Sequence, residues 1–585
     1  MTPKTGKGES LFMEKHRIAH AGLAVVLALV LLSAAFVCPL AFAAERNSSS
    51  EKLHLVDLSD VHLFDESLMA DTEDWRREET DDLKKNYCNI AIIDKTLESV
   101  RKQKPEVILI NGDLTKNGEY VSEKNFAAKL NALKKDLPKT HIYVINGNHD
   151  INSAGATNYN TKSGESEPAA QTSPEQFREL YAVTYHDPTI IARYTPPLGA
   201  QAGQLSYVAR PRPGYTIIAI DDGRYSSDNT VNGKNEAMNG GRISDSLADW
   251  VAAQAQAARA RGDTVIGFEH HGLVHHNPIE GINLNKGYDK IAPRFADAGL
   301  NYLFTGHMHC DDIAKYRSPK GNDLWDIETG TPLSYPSAYR VVDFSRHPER
   351  DGTVTETLDG KLVDHLGPVT YRNPVNGKIE TIDDITEYNR ANCITPEWVL
   401  SKVENPVRKE CKKLGIPYSA ELEQGLNRIG NDLFAIPVDD SGEHTLIQWA
   451  NYLMQGWFAG TDNGRDEPAW FQQGTQRLKD GRMLDAAENV LAVDLAKLPD
   501  STAESIRKLI YSDDVPKVLN RDGSKKLNDT LVYYLEQFRV DPNDPDDRDF
   551  HIETRVRNGV RSDGQPVPEQ PKTDNDIVKF LNKVL

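Results

Sequence analysis

Six short apolar runs, at residues 53–58, 107–111, 141–146, 215–221, 265–270 and 301–305, have the length and β-branched content of buried strands. Amphipathic stretches separate them. In one, Ser244 stands as a cap before Leu247, Trp250, Val251, Ala255 and Ala258, which recur at helical spacing, and Ser173-Pro174 starts another. Strands alternating with helices restrict this part of the chain to a layered α/β domain whose strand-end loops build any site. With 585 residues the chain exceeds what one core accommodates. After about Gly367 the pattern turns to helical stretches broken by Gly, Pro and Asp, with Ser501 and Glu504 as a capping box. The expected organisation is therefore an N-terminal segment 1–43, a domain at 51–367 and a mainly helical C-terminal domain at 368–585.

The N-terminus carries Lys4, Lys7, Lys15 and Arg17 before the uncharged stretch 21–44, which contains Ala41-Phe42-Ala43. This is the three-part pattern of a secretory signal cleaved after Ala43, with an uncleaved membrane anchor as the alternative. Cys38 lacks the small-residue sequence that precedes a lipidated cysteine. The expected location is secreted or extracytoplasmic, and a membrane is expected as partner only through this segment. A formal net charge of −19 argues against a nucleic-acid polymer as partner, because the long-range field would repel it. A small anionic substrate then needs positive charge concentrated locally.

Cys88, Cys310, Cys393 and Cys411 follow the signal. Thr395-Pro396 and Asn405-Pro406 each read as a helix start, suggesting a short hairpin that would bring Cys393 and Cys411 together. Two unpaired buried thiols are the other reading. The charge-dense stretch 71–82 reads as a solvated insertion or a substrate lid, 152–173 as a loop at the rim of a site, and 541–549 as a solvated acidic loop.

Five motifs end the strand runs in order: Asp60-Val61-His62, Gly112-Asp113, Gly147-Asn148-His149-Asp150, His270-His271 and Gly306-His307-Met308-His309. Singly each is weak. Jointly they supply what a two-metal site needs: a carboxylate short enough to bridge two ions, imidazoles and a neutral amide oxygen. Such mixed N/O ligands suit Mn, Fe, Zn or Co better than Ca or Mg.

These motifs resemble the calcineurin-like metallophosphoesterase family, most closely its bacterial, exported class III cyclic-nucleotide phosphodiesterase-like branch. The resemblance spans roughly residues 53–344. It implies a four-layer α/β/β/α sandwich, with the C-terminal helical domain as an extension. It also implies a binuclear centre of two divalent ions. Asp60, His62 and His309 would hold one ion, Asn148, His270 and His307 the other, and Asp113 would bridge them. His149 would face the phosphate as the catalytic acid, with Asp150 orienting it or serving as a local cap. His271, first as a substrate contact, and His275 and His276 would touch the phosphate or stand behind the ligands, a polar loop rim being the other reading for the last two. Leu114-Thr115-Lys116-Asn117-Gly118 departs from the Asp-Arg-Gly of protein Ser/Thr phosphatases, and Lys116 stands where purple acid phosphatases place their iron-binding tyrosine.

The activity implied is hydrolysis of a small phosphodiester, a cyclic nucleotide first, by a metal-bridging hydroxide. A nucleotidase, a glycerophosphodiester or lipid-head-group phosphoesterase, and a non-catalytic surface binding protein are the rival readings.

Overall fold

The computed structural model describes residues 51–561, apart from 226–229, 232–233, 236–239, 277–282, 461–466, 511–545 and 558–559. The expected signal segment lies outside the described residues. Among them no helix is long and apolar enough to cross a membrane.

Two seven-stranded sheets face each other. The strands used below are β1 (Glu51–Leu58), β2 (Val107–Asn111), β3 (His141–Ile145), β4 (Ile190–Arg193), β5 (Tyr207–Arg212), β6 (Tyr215–Ala219), β7 (Thr264–Phe268), β8 (Tyr302–Thr305), β9 (Asp312–Arg317), β10 (Asp323–Glu328), β11 (Tyr339–Pro348), β12 (Val354–Val363), β13 (Asp549–Arg557) and β14 (Val560–Arg561). The first sheet runs β14-β13-β12-β11-β1-β2-β3 and the second β9-β10-β8-β7-β6-β5-β4. In the first, β1, β2 and β3 are parallel neighbours. In the second, β6, β7, β8 and β10 are parallel.

Parallel strands are covered on both faces, which is why their sequences are continuous apolar runs. Along β6 and just beyond it, Ile217 and Ala219 join the core between the sheets, while Ile218 and Ile220 join the core under the helices Asp245–Ala260 and Tyr288–Ala298. The helices Asn89–Gln103 and Tyr120–Asp136 cover the first sheet. The result is the expected helix, sheet, sheet, helix layering.

The helical C-terminal region has its own core, built around Trp449, Phe471 and Leu491. The helix Pro396–Leu414 runs through Asn405-Pro406 without a break, so the expected hairpin is absent. Cys393 lies before this helix and Cys411 in its last turn, so roughly 20 Å of helix, at 1.5 Å per residue, runs between them. Cys88, Cys310, Cys393 and Cys411 are all buried.

The region is not helical throughout. Val369–Arg372 pairs with Ile379–Ile382, and β13 returns to pair antiparallel with β12 in the first sheet. Just before β13, Asp547 is buried, against the expected solvated loop: its carboxylate accepts from the Ile313 N–H at 2.9 Å and its carbonyl from the Arg340 guanidinium.

The stretch 71–82 is neither loop nor solvated throughout. It forms the helix Glu73–Asp81, capped by Thr72, with Trp75 fully buried and stacked on Phe64. Glu78 and Asp82 grip the buried ammonium of Lys116, with Glu78 at 2.9 Å. That ties the helix to the loop after β2.

Candidate metal centre

The C-terminal ends of β1, β2 and β3 meet those of β6, β7 and β8 at one edge of the sandwich, so the loops leaving six parallel strands share one space. The loop after β1 is zipped to the loop after β2: Asp60 N–H donates to Gly112 O at 3.2 Å, and His62 N–H to Asp113 O at 2.9 Å. Two glycines permit the remaining approaches. A Cβ at Gly147 would collide with the Asp113 carboxylate, and one at Gly306 with Ser59 and Asp60.

Asp60, His62, Asp113, His307 and His309 all have positive φ, between 44° and 79°. Such conformations cost about 1 kcal/mol or more each and persist where the surroundings dictate them, commonly at functional sites. Only four other non-glycine residues among those described share this region.

One ligand atom each from Asp60, His62 and His309 lies within 4.8 Å of the others, and the same holds for Asp60–Asp113–His270, His62–Asp113–His149 and His270–His271–His307. Nε2 of His62 and Nε2 of His309 are 3.0 Å apart. Asp60 Oδ2 accepts from Ser59 Oγ at 2.7 Å and His307 N–H at 2.9 Å. Its Oδ1 faces His309 Nε2 at 3.3 Å and His62 Nε2 at 3.6 Å. Asp113 Oδ2 stands 3.2 Å from His270 Nε2 and 3.7 Å from those of His62 and His149, a central position suited to a bridge. Asn148 is buried, and neither its amide oxygen nor its nitrogen finds a hydrogen-bond partner among the described residues.

Residues 55–311 match the family model described as calcineurin-like phosphoesterase. This part of the chain is similar to that family. Among solved structures, a dimetal phosphatase from Danio rerio is 12% identical over 57% of this chain and 98% of its own, with a TM-score of 0.34. No curated protein matches the chain.

The electrostatics of the cluster fit divalent ions. Burial would raise the Asp60 and Asp113 carboxyls, but neighbouring imidazoles, His270 first, hold both well below the ordinary range. Burial opposes protonation of His270, yet Asp113 and Asp60 push it up to about 10. The carboxylates thus favour positive charge at this point, which a cation also satisfies. Burial and the Lys84 ammonium drive His62 down to about 3, leaving a neutral ligand nitrogen. An unpartnered buried amide at Asn148 and carboxylates set among imidazoles are what a binuclear centre requires; as isolated polar groups they would be costly.

Of the two roles open for Asp150, orienting His149 or capping the loop locally, its contacts are those of the cap, and it makes no hydrogen bond to the His149 ring. Its carboxylate accepts backbone N–H groups of Leu114 at 2.9 Å, Thr115 at 3.1 Å and Gly147 at 2.8 Å, splicing the two metal loops together. It is a positioning residue. Asn117 instead holds His149, with Oδ1 at 2.8 Å from Nδ1. His275 and His276 point elsewhere, to the Tyr288 hydroxyl at 2.7 Å and to the Asp312 carboxylate at 3.2 Å.

Sequence reasoning missed Asn117, Lys84 and Asp222. Asn117 was visible only as a departure from other branches, and Lys84 only as part of a charge run. Asp222 follows a strand run and ends in a carboxylate, the same signal that revealed Asp113.

Proposed function

We propose that the protein is an exported, binuclear metal-dependent phosphodiesterase, with a cyclic nucleotide or a similar small diester as substrate. The observation that carries this reading is the convergence of Asp60, His62, Asp113, Asn148, His270, His307 and His309 on one strand-end space, where the buried Asn148 amide has no hydrogen-bond partner among the described residues. The pattern of residues 1–43 supports export, the net charge of −19 supports a small substrate over a polymer, and the division into 51–367 and 368–585 belongs to the same proposal.

Two bound ions of the Mn, Fe or Zn class would supply a nucleophile at neutral pH and offset charge on the phosphoryl oxygens. The chain's own residues do the rest. Asp113, placed between the two ligand groups, fixes their separation. His149, with its side chain 15% exposed, is accessible from the mouth of the site. It is placed to stabilise phosphoryl charge and to protonate a leaving alkoxide. Asn117 sets its ring plane, and Asp150 fixes the loop that carries it.

A hydrolysis screen with added Mn2+ tests the proposal. It should cover cyclic nucleotides, nucleotides, glycerophosphodiesters and a nitrophenyl diester. Turnover of diesters well above monoesters is expected. Preference for monoesters would make the protein a nucleotidase-like phosphatase, and metal loading without any turnover would make it a binding protein.

A further inference from the structure

His271 follows His270 directly at the end of β7, and its ring centroid lies 4.3 Å from that of His307 and 4.8 Å from that of His270. Its Nδ1 stands 2.9 Å from Asp222 Oδ2. The same oxygen accepts the backbone N–H of His271 at 2.9 Å and Asn285 Nδ2 at 3.0 Å. Asn285 also donates to the His271 carbonyl at 2.8 Å. Gly241 presses on this group so closely that a Cβ there would sit 2.5 Å from Asn285 Oδ1 and 2.6 Å from both Asp222 Oδ2 and His271 Nδ1. The imidazole is therefore held in one orientation.

Asp222 Oδ2 accepts from two other N–H groups as well, so the Nδ1 edge of the ring is engaged by a carboxylate, the arrangement that in a neutral imidazole leaves the lone pair on Nε2. Nε2 is buried and has no hydrogen-bond partner among the described residues. A phosphate contact would need a donor at Nε2 and access from the mouth of the site. His271 and Asp222 side chains are both 0% exposed, whereas His309 is 20% exposed. A metal ligand needs the opposite: a lone pair facing inward and the other ring nitrogen donated to a carboxylate or carbonyl. His270 is built the same way, with Nδ1 2.8 Å from the Asn111 carbonyl.

We propose that His271 is a further ligand of the second metal ion, beside His270 and His307, and that Asp222 is the positioning residue that keeps its Nε2 turned to that ion. The proposal rests on the binuclear reading of the site. It moves His271 from the substrate side of the centre to the metal side.

The test is Co2+ titration of the metal-free full chain, read by calorimetry and by the visible absorption of the bound ion. In His271→Ala the second Co2+ should bind more weakly by about 100-fold or more and its absorption band should shift, while the first ion is unaffected. Asp222→Asn should weaken the same ion by about 10–100-fold, the usual cost of losing the partner that orients a ligand. If His271→Ala fails to fold by circular dichroism, His271→Asn carries the same test with a smaller change of volume.

Unchanged affinity and an unchanged band in the folded variant would overturn the proposal. So would a variant whose only loss is in binding inorganic phosphate to the metal-loaded protein, which would return His271 to the substrate. A wild-type chain that takes up fewer than two ions would refute the binuclear reading itself, a result distinguishable from either.

Discussion

Within the Asn148-His149 pair, adjacent side chains are assigned opposite tasks, and substitutions separate them. Asn148 is buried with both amide atoms unpartnered. Asn148→Ala should weaken the second ion and lose activity that excess metal partly restores. His149→Ala should keep both ions and lose about 10²–10⁴-fold in turnover, less for a nitrophenolate leaving group than for a sugar alkoxide. Metal analysis beside the two rates checks both, and a His149 variant that loses an ion would make His149 a ligand. Away from the ligands, Asp57 is wholly buried, and burial pushes its carboxyl up to about 7 against hydrogen bonds from Thr329 and Asn111. A folded value above the unfolded one means that the folded chain holds the extra proton, so stability falls as pH rises from about 4 to about 7. Asp57→Asn should remove this slope. Its midpoint of thermal unfolding, relative to wild type, should rise between pH 5 and pH 8, and parallel curves would show that Asp57 does not titrate there.

The helix Glu73–Asp81 shows how an element that reads as surface becomes part of the site's frame. Its Trp75 packs on Phe64, its Glu78 and the following Asp82 hold Lys116, and the Lys402 ammonium bonds to the Asp81 carbonyl. Lys116→Met would leave the partly buried carboxylates of Glu78 and Asp82 without their cation, a loss of at most about 3 kcal/mol, the lower end of the cost of breaking a buried pair. Faster proteolysis within 71–82 and a lower unfolding midpoint are the expected results. A variant as protease-resistant as wild type would mean that the aromatic packing alone holds the helix. The acidic run was legible in sequence, but its partner was not: Lys116 lies 34 residues away and pairs only because the loop after β2 folds beneath the helix.

Across the whole molecule, β13 joins the two regions by adding a strand next to β12. Phe550 packs over Gly360, where any side chain would collide with its ring, and Arg340 reaches the Asp547 carbonyl. A chain ending at residue 367 would expose the full edge of β12, a ten-residue strand open to intermolecular pairing. Such a truncation should express as aggregate, whereas the full chain stays monodisperse in size-exclusion chromatography. A soluble, metal-binding fragment would show that the two-sheet domain does not need this strand.

The six strand runs, the layering and the seven proposed metal ligands were legible because each depends on local pattern: continuous apolar runs mark strands covered on both faces, and the ligands follow directly on strand ends. The helix break expected at Asn405-Pro406 failed because a proline signal is a local propensity that the surrounding helical packing overrode. Asp150, Asn117, Asp222 and Lys116 were beyond a local reading. Their roles depend on which loop lies opposite, 32 to 49 residues away in the chain for the bonds that define them. Whether a carboxylate meets a backbone N–H, an imidazole or an ammonium is decided only when the strand ends are brought together, because hydrogen bonds and ion pairs act over a few ångströms and carry no signature along the sequence.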